Sequence, residues 1–302
     1  MSTSTYAMTG TSPSPSEAYL TPAEYRQSPT GVDPSGLVKG DAAASEAELV
    51  NIIGRACSFA DFICGQVIAA TPDTEADRLP VNRDGNIIIH PRQGPLLEVT
   101  GIAYGGTPTA MTVLTDLSGL WVDESQIVVG AARGAWSGGG PLQFSAPYGT
   151  RRMYVRWSYV AGWPNTSLAA AATGGTTSLT VKNAVGIFPT ITTLVIYDGA
   201  QTETVKLAAS YVPGSTVLTL AAPLQYSHTT LGVSVSAFPP AVKQAVILLT
   251  SALIRTRGSS AIVMASISAR PGPRTKGGSA GFENDLATAQ QILCMSPCRR
   301  VR

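Results

Sequence analysis

The stretch VAGWPN at residues 160–165 decides how this chain is divided. It follows RMYVRWSY (residues 152–159), whose alternating pattern predicts a strand with Met153, Val155 and Trp157 on one face. The Gly-Trp-Pro turn should lead straight into the next element. The next convincing helix start, however, is a proline pair more than seventy residues further along the chain. We therefore expect a separate folded unit between the turn and that helix.

Residues 166–238 have the composition of an all-β unit. They contain fourteen threonines and only four charged residues, and short Thr/Val/Leu runs alternate with Gly and Pro turns, as is typical of strands. GTTSLTV (residues 175–181) and GSTVLTL (residues 214–220) share one pattern 39 residues apart, which favours two similar halves of a small barrel or sandwich. A self-folded unit whose ends lie side by side avoids most of the entropy cost of closing a long loop. We therefore predict that Gly162 and Pro240 lie close together.

Helical patterns occur on both sides of this unit. TPAE (residues 21–24) is a capping box that predicts a short helix over residues 22–27. SEAE (residues 45–48) is a second capping box, and the apolar periodicity behind it predicts an amphipathic helix over residues 46–69. Further helices are predicted to begin at the proline pair and to span residues 282–293.

The region between the second helix and the turn is predicted to form strands. NIIIH (residues 86–90) and LLEVTGIAY (residues 96–104) carry the clearest signals, and weaker ones continue to Trp157. An acidic loop is expected before them, formed by Asp73, Glu75, Asp77 and Asp84. Because this cluster lacks the Gly and Glu positions of a calcium-binding loop, we expect a loop that is either solvated or salt-bridged to a neighbouring subunit.

Charge is scarce in this chain and unevenly distributed. Charged residues make up 13% of the sequence, about half of the ~25% that is usual for soluble proteins. Residues 1–164 carry ten basic and fifteen acidic side chains, a net charge of −5, whereas residues 239–302 carry nine and two, a net charge of +7. The basic end therefore either meets an acidic partner or folds back on the acidic half of its own chain.

The N-terminal residues 1–18 are rich in Ser, Thr and Pro and are predicted to be disordered. They lack the basic start and the apolar run of a signal peptide. No charge-free stretch approaches the ~18 apolar residues of a membrane span, so no membrane association is expected. Reduced, buried thiols are the expected state of the four cysteines, with a zinc site as the weaker alternative. The cysteines are Cys57, Cys64, Cys294 and Cys298.

The sequence contains little that suggests catalysis. Its two histidines are His90 and His228, and a Ser-His-Asp triad would have to use one of them. GGSAG (residues 277–281) fits the pattern G-x-S-x-G, but it follows a linker rather than the strand that a nucleophile elbow requires. We therefore predict a protein that is not an enzyme and that has no cofactor or metal. A hydrolase that uses one of the two histidines is the competing hypothesis.

Three segments in a fixed order resemble one protein family. They are VNRDGNIIIHPRQGPLLEVTGIAYGG (residues 81–106), YVRWSYVAGWP (residues 154–164) and PPAVKQAVILLTSALIRTRG (residues 239–258), followed by LATAQQIL and a basic ending. In this order they resemble the head-to-tail adaptor proteins, or head-tail connectors, of long-tailed double-stranded-DNA phages. EYRQSPTGVDPSGLV (residues 24–38) is similar to the start of adaptors from phages of actinobacterial hosts.

The resemblance implies an α+β fold. A helical adaptor core with β-strands would comprise residues 19–165 and 239–302, and residues 166–238 would be an inserted all-β module. The resemblance further implies a structural virion protein that forms a ring of about twelve copies beneath the portal. Such a ring holds the tail connector, or head-tail stopper, on its other face and lets double-stranded DNA pass through its centre. Its location would be the portal vertex of the virion, after assembly in the host cytoplasm.

The resemblance assigns portal binding to a basic C-terminal arm. The basic residues of this arm are Arg270, Arg274, Lys276, Arg299, Arg300 and Arg302. Clustered basic side chains of this kind suit an acidic protein surface or phosphates. The alternative to an adaptor is a tail or baseplate protein whose β module binds a host glycan, although residues 166–238 contain no tryptophan.

Overall fold

The computed structural model describes residues 17–30, 32–82, 86–123, 125–130, 152–189, 192–256 and 280–295. The first sixteen residues of the N-terminus that we predict to be disordered lie outside these ranges. The chain contains both helices and antiparallel sheets, which is compatible with the predicted α+β class.

Four helices within the described residues share one apolar core. They are α1 (Pro22–Gln27), α2 (Ala42–Cys64), α3 (Pro240–Arg255) and α4 (Ala280–Met295). Helix α3 packs against both α2 and α4, and its predicted apolar stripe is buried. The stripe consists of Val242, Ala245, Val246, Leu249, Ala252 and Leu253.

Helix α1 forms as its capping box predicts. The Glu24 N–H donates to the Thr21 hydroxyl oxygen at 3.2 Å, and the Thr21 N–H donates to the Glu24 carboxylate at 2.7 Å. Two backbone donors that have no partner within the helix are thereby satisfied.

Helix α2 begins and ends earlier than the sequence pattern predicts. Its N-cap is Asp41, whose carboxylate accepts a hydrogen bond from the Ala44 N–H at 2.9 Å. Ser45, the predicted cap, lies inside the helix with its hydroxyl 2.8 Å from the Asp41 carbonyl oxygen. Gly65 ends the helix in the left-handed conformation, with φ at 71°. An aspartate followed by three alanines is the stronger helix start, because alanine has the highest helix propensity.

Two antiparallel sheets precede the Gly-Trp-Pro turn. Their strands are β1 (Thr71–Pro80), β2 (Ile87–Ile89), β3 (Leu96–Thr107), β4 (Ala110–Val113), β5 (Trp121–Val122), β6 (Ile127–Val129) and β7 (Arg152–Ala161). One sheet has the order β1-β7-β3-β4 and the other β2-β6-β5. The two sheets share a core that buries Met153, Val155 and Trp157, which confirms the predicted inner face of β7.

The residues predicted as an acidic loop belong instead to strand β1, apart from Asp84, which lies outside the described residues. Strand β1 pairs with β7 over ten residues, from Thr71 opposite Ala161 to Pro80 opposite Arg152. Because β1 is an edge strand, its prolines, which have no N–H, do not interrupt the sheet. The sequence TPDTEADRLP has little strand propensity of its own, so this strand depends on pairing with β7.

The β strands that follow the turn close into a barrel. They are β8 (Asn165–Ser167), β9 (Ser178–Thr180), β10 (Thr193–Tyr197), β11 (Glu203–Lys206), β12 (Val217–Thr219) and β13 (Ser234–Ser236). Ladders join β11, β10, β13 and β8 in that order, and β12 pairs with β9. Two bridges, Leu168 with Val181 and Leu207 with Leu220, link these groups into the ring β8-β9-β12-β11-β10-β13. The ring encloses an apolar core separate from those of the helices and the first two sheets.

The 39-residue echo in the sequence corresponds to the symmetry of this barrel. Its two copies contain β9 and β12, which pair with each other so that Leu179 lies opposite Leu218. The two closing bridges are also 39 residues apart, and so are Ile196 and Val235, which pair between β10 and β13. The barrel therefore consists of two equivalent three-strand halves related by an approximate two-fold axis.

The chain enters and leaves the barrel at one place. The Ala237 N–H donates a hydrogen bond to the Pro164 carbonyl oxygen at 2.9 Å, and Asn165 pairs with Ser236. These contacts bring the end of the turn beside the residues that precede α3, and the proximity of Gly162 and Pro240 themselves stays a prediction. The assignment of the barrel as an insertion into an adaptor core stays a prediction.

The Gly-Trp-Pro turn is held on both sides by backbone hydrogen bonds. The Gly162 N–H donates to the Pro95 carbonyl at 2.9 Å, and the Trp163 N–H donates to the Ile68 carbonyl at 3.0 Å. Gly162 has φ at 107°, and a Cβ atom there would lie 2.6 Å from the Ala69 carbonyl oxygen. Only glycine combines that backbone conformation with so close an approach.

Lys243 of α3 connects the helices to the barrel. Its ammonium group lies 2.6 Å from the Glu24 carboxylate of α1 and 3.2 Å from the Ser234 hydroxyl of β13. It also lies 4.1 Å from the ring centroid of Tyr197 in β10. Lys243 is only 5% exposed and Glu24 9%. Burial lowers the pKa of Lys243, and the attraction of Glu24 opposes this shift.

We expect Gly162→Ala to lower the free energy of unfolding by about 3 kcal/mol or more, because it adds a backbone clash to the strain of a positive φ. Gly175→Ala is the matched control. Gly175 has φ at 87°, but a Cβ there meets nothing within 4 Å, so about 1 kcal/mol is expected. Urea unfolding measures both values, and an equal loss in the two variants would contradict this view of the turn.

We expect Lys243→Ala to lower the free energy of unfolding by about 3–5 kcal/mol, because Glu24 is left buried without a counter-charge. Arg55→Ala removes one partner of the exposed Arg55–Glu48 ion pair of α2 and should cost about 1 kcal/mol or less. Lys243→Met combined with Glu24→Gln should recover much of the loss. Urea unfolding of the three variants measures these losses. Equal losses for Lys243→Ala and Arg55→Ala would contradict the view that Lys243 connects the helices to the barrel.

Candidate assembly site

The basic arm that we predict to bind the portal lies outside the described residues, at all six positions from Arg270 to Arg302. Helix α4 lies in the chain between the two groups of basic residues. Its position against α3 is fixed by an ion pair between the Arg255 guanidinium and the Asp285 carboxylate at 3.0 Å. Portal binding by the arm stays a prediction.

Helix α2 presents an apolar stripe on the side that faces away from its core. Val50, Gly54, Ser58 and Phe62 follow one another at four-residue steps, which places them on one face of the helix. Phe62 is 64% exposed and Val50 51%, and the two small residues between them leave a shallow groove. We call these four residues the α2 stripe.

A second apolar surface covers the outer side of the β2-β6-β5 sheet. Ile88 lies opposite Val128, which in turn lies opposite Trp121, so the three side chains form a row across the sheet. Trp121 is 55% exposed and Ile88 39%. We call this row the sheet patch. Large exposed apolar patches typically mark surfaces where proteins associate.

Tyr19, in the segment before α1, connects α2 with the start of α3. The Tyr19 hydroxyl donates to the Asp61 carboxylate at 2.7 Å, and the Ile68 N–H donates to the same oxygen at 3.0 Å. Burial raises the pKa of Asp61 to about 6, although these two hydrogen bonds act in the opposite direction. The Tyr19 ring also meets Phe238 edge-on, with the ring centroids 5.1 Å apart. Residues before α1 are thus fixed against both α2 and the start of α3.

The two histidines lie in different parts of the fold. His228 is buried in the barrel, with Nδ1 2.9 Å from the Asp198 carboxylate and Nε2 2.7 Å from the Glu203 carboxylate. Burial raises the pKa of Glu203, but hydrogen bonds from the Gln225 N–H and from His228 lower it on balance. His90 is exposed beside β2, in the first pair of sheets. Both ring nitrogens of His228 are therefore engaged by carboxylates rather than by a serine or cysteine side chain.

The remaining candidate motifs do not combine into a site. Cys57 and Cys64 are buried in α2, whereas Cys294 is exposed near the end of α4 and Cys298 lies outside the described residues. Among the described residues, no three His, Cys, Asp or Glu side chains are grouped so that they would hold a metal ion. The last two residues of the G-x-S-x-G match open α4, and the others lie outside the described ranges. None of the described helices has the length and apolarity to cross a membrane.

The two apolar surfaces were not identified from the sequence alone. Val50 and Phe62 do leave a signal, since they are large apolar residues off the periodic stripe that predicts the buried face of α2. The sheet patch leaves none, because Ile88, Val128 and Trp121 become neighbours only through the register of three strands.

Comparisons with known proteins find a likeness in structure and none in sequence. No protein-family profile and no curated protein sequence matches this chain. Among solved structures, a chain described as "Neck of empty GTA particle computed with C6 symmetry" is similar over 94% of this chain and 94% of its own length. The two share 13% sequence identity and a TM-score of 0.34. A likeness at that level does not assign a function.

Proposed function

We propose that this chain is a structural protein of a phage-like virion and forms the adaptor ring between the capsid portal and the tail connector. Double-stranded DNA passes through the centre of that ring. The observation that carries the proposal is the hydrogen bond between the Ala237 N–H and the Pro164 carbonyl. This contact supports the proposal because it joins the end of the Gly-Trp-Pro turn to the residues before the proline-capped helix, and the turn followed by that helix is part of the order by which the sequence resembles the adaptors.

We also propose that the protein is not an enzyme. This view is supported by His228, whose two ring nitrogens are occupied by Asp198 and Glu203. His90 lies beside β2, outside the barrel, so the two histidines do not form a common site. The contacts of His228 with these carboxylates, together with hydrogen bonds from the Gln225 and Tyr226 N–H groups to Glu203, instead anchor the loop after β12 to the barrel.

The ring contact we propose joins the α2 stripe of one copy to the sheet patch of the next. A closed ring requires two different complementary surfaces on each subunit, because head-to-tail contacts are not self-complementary. The two apolar surfaces meet that requirement, since one lies on a helix and the other on a sheet. Burial of both on each of about twelve copies also explains a surface with so few charges.

Phe62→Glu should prevent ring formation while leaving a folded subunit, because it places a charge in the apolar contact but not in the core. Leu231→Glu is the matched control, since Leu231 is 89% exposed and belongs to neither of the two surfaces. Sedimentation or mass photometry gives the number of copies, and circular dichroism reports folding. Rings of Phe62→Glu that match those of the unmodified protein would exclude the α2 stripe as the contact.

The combined substitutions Arg299→Ala, Arg300→Ala and Arg302→Ala should give DNA-filled heads that fail to join tails, because the arm is proposed to bind the portal. Particle yield and electron microscopy of the virions measure this outcome. The same images test the location, which should be a ring directly beneath the portal. A normal yield of tailed particles would reject the arm, and a location at the tail tip would reject the adaptor in favour of a baseplate role.

A further inference from the structure

Three arginines gather on the outer face of the β1-β7-β3-β4 sheet, the side that faces away from the β2-β6-β5 sheet. Arg152 and Arg156 lie on β7, and Arg78 of β1 lies opposite Tyr154, between them. All three are exposed, and Arg78 is stacked over the Tyr154 ring with 5.5 Å between the guanidinium and the ring centroid. We call this surface the arginine face.

The charge of the arginine face is not neutralised by carboxylates of the described residues. The acidic side chains of β1 point to the other side of the sheet, where Glu75 lies opposite Trp157 and Asp73 opposite Tyr159. Both carboxylates are engaged there by the Tyr159 hydroxyl. Strand alternation has therefore sorted the charges of β1 onto opposite faces of one sheet.

One carboxylate does share the outer face, and it lies away from the arginines. Glu98 is opposite Val160, four residues along β7 from Arg156 and therefore about 13 Å away. Among the described residues of the sheet, those level with residues 152–158 of β7 contribute only positive charge to this face.

Small residues flank the arginines and leave them accessible. Arg156 lies between Ala76 and Ala103, and Tyr154 lies between Arg78 and Gly105. A Cβ at Gly105 would lie 2.1 Å from the Ala110 carbonyl oxygen, so no larger residue fits there. Arg156 therefore has only alanine side chains beside it on the neighbouring strands, whereas the backbone at Ala110 closes against the sheet at Gly105.

We propose that the arginine face binds the sugar-phosphate backbone of duplex DNA, independently of base sequence. The inference rests on the proposed function, which brings a duplex alongside the protein. Arg152 and Arg156 are separated by about 13 Å along their strand. A duplex carries about one phosphate charge per 1.7 Å of its axis, so a segment of that length offers about eight charges to three arginines.

The chemistry of the face favours a polyanion over a protein partner. Two of its three guanidinium groups lie on the inner strand β7, and none of the three forms an ion pair with a carboxylate of the described residues. Its guanidinium groups suit phosphates, which they can bind through two parallel hydrogen bonds. Contacts limited to the DNA backbone weaken as the salt concentration rises and allow DNA to slide, which suits a channel through which DNA passes.

The test is a titration of the full-length protein with a labelled duplex of about 30 base pairs, followed by fluorescence anisotropy between about 50 and 200 mM salt. The variant combines Arg78→Ala, Arg152→Ala and Arg156→Ala. The matched control combines Arg26→Ala, Arg55→Ala and Arg92→Ala, which removes the same charge from arginines that are ion-paired to Glu46, Glu48 and Glu75. Any binding by the basic C-terminal residues is common to both.

We expect the face variant to bind at least tenfold more weakly at the lowest salt. Its slope of log K against log salt should become shallower by about 2.7, since each lost phosphate contact contributes about 0.9. The control should shift the slope by less than one such contact, and two duplexes of different sequence should bind alike. Equal losses in the face variant and the control, or unchanged binding in the face variant, would overturn the inference.

Two further measurements separate the possible failures. If an acidic peptide such as poly-glutamate binds with the same arginine dependence and the duplex does not, the face is a protein-docking surface and the inference is wrong. Electron microscopy of the same samples reports the ring independently of DNA. Rings without arginine-dependent DNA binding would reject this inference alone, whereas failure of the unmodified protein to form rings would reject the proposed function.

Discussion

The ion pair between Lys243 and Glu24 is the contact on which the arrangement of this protein depends. Glu24 uses one carboxylate oxygen to cap α1 and the other to hold the buried ammonium group of α3. The same ammonium group reaches the barrel through Ser234 and Tyr197. No one of the three parts can shift without leaving a charge buried and unpaired, which is far more costly than losing an ordinary apolar contact. The pair therefore specifies one relative position of helices and barrel.

Local patterns predicted the elements whose signals are complete within a short window. The capping box of α1, the apolar stripe of α3 and the inner face of β7 all form as expected, because each depends on residues a few positions apart. Strand β1 and the start of α2 were predicted wrongly for two different reasons. β1 forms because it pairs with β7, eighty residues away in the chain. Asp41 and Ser45 are both suitable N-caps for α2, and the three alanines after Asp41 favour the earlier start.

The candidate surfaces were less predictable than the fold. The basic arm was found from composition but lies outside the described residues, so its role is unchanged by the structure. The sheet patch combines residues of three strands and the arginine face residues of two, and both depend on cross-strand register. A count of charges along the sequence does not reveal the arginine face, because β1 contains both acidic and basic residues. Their side chains are separated only because successive residues of a strand point to opposite faces of the sheet.

The shared entry and exit of the barrel has a mechanical consequence. A pulling force transmitted along the chain from β7 to α3 crosses the short bridge between Pro164 and Ala237. The barrel strands are not part of that path. They carry tension only after this hydrogen bond and the β8–β13 pairing have opened. A protein placed between two large bodies that push and pull on each other can in this way carry an extra domain that is shielded from the strain.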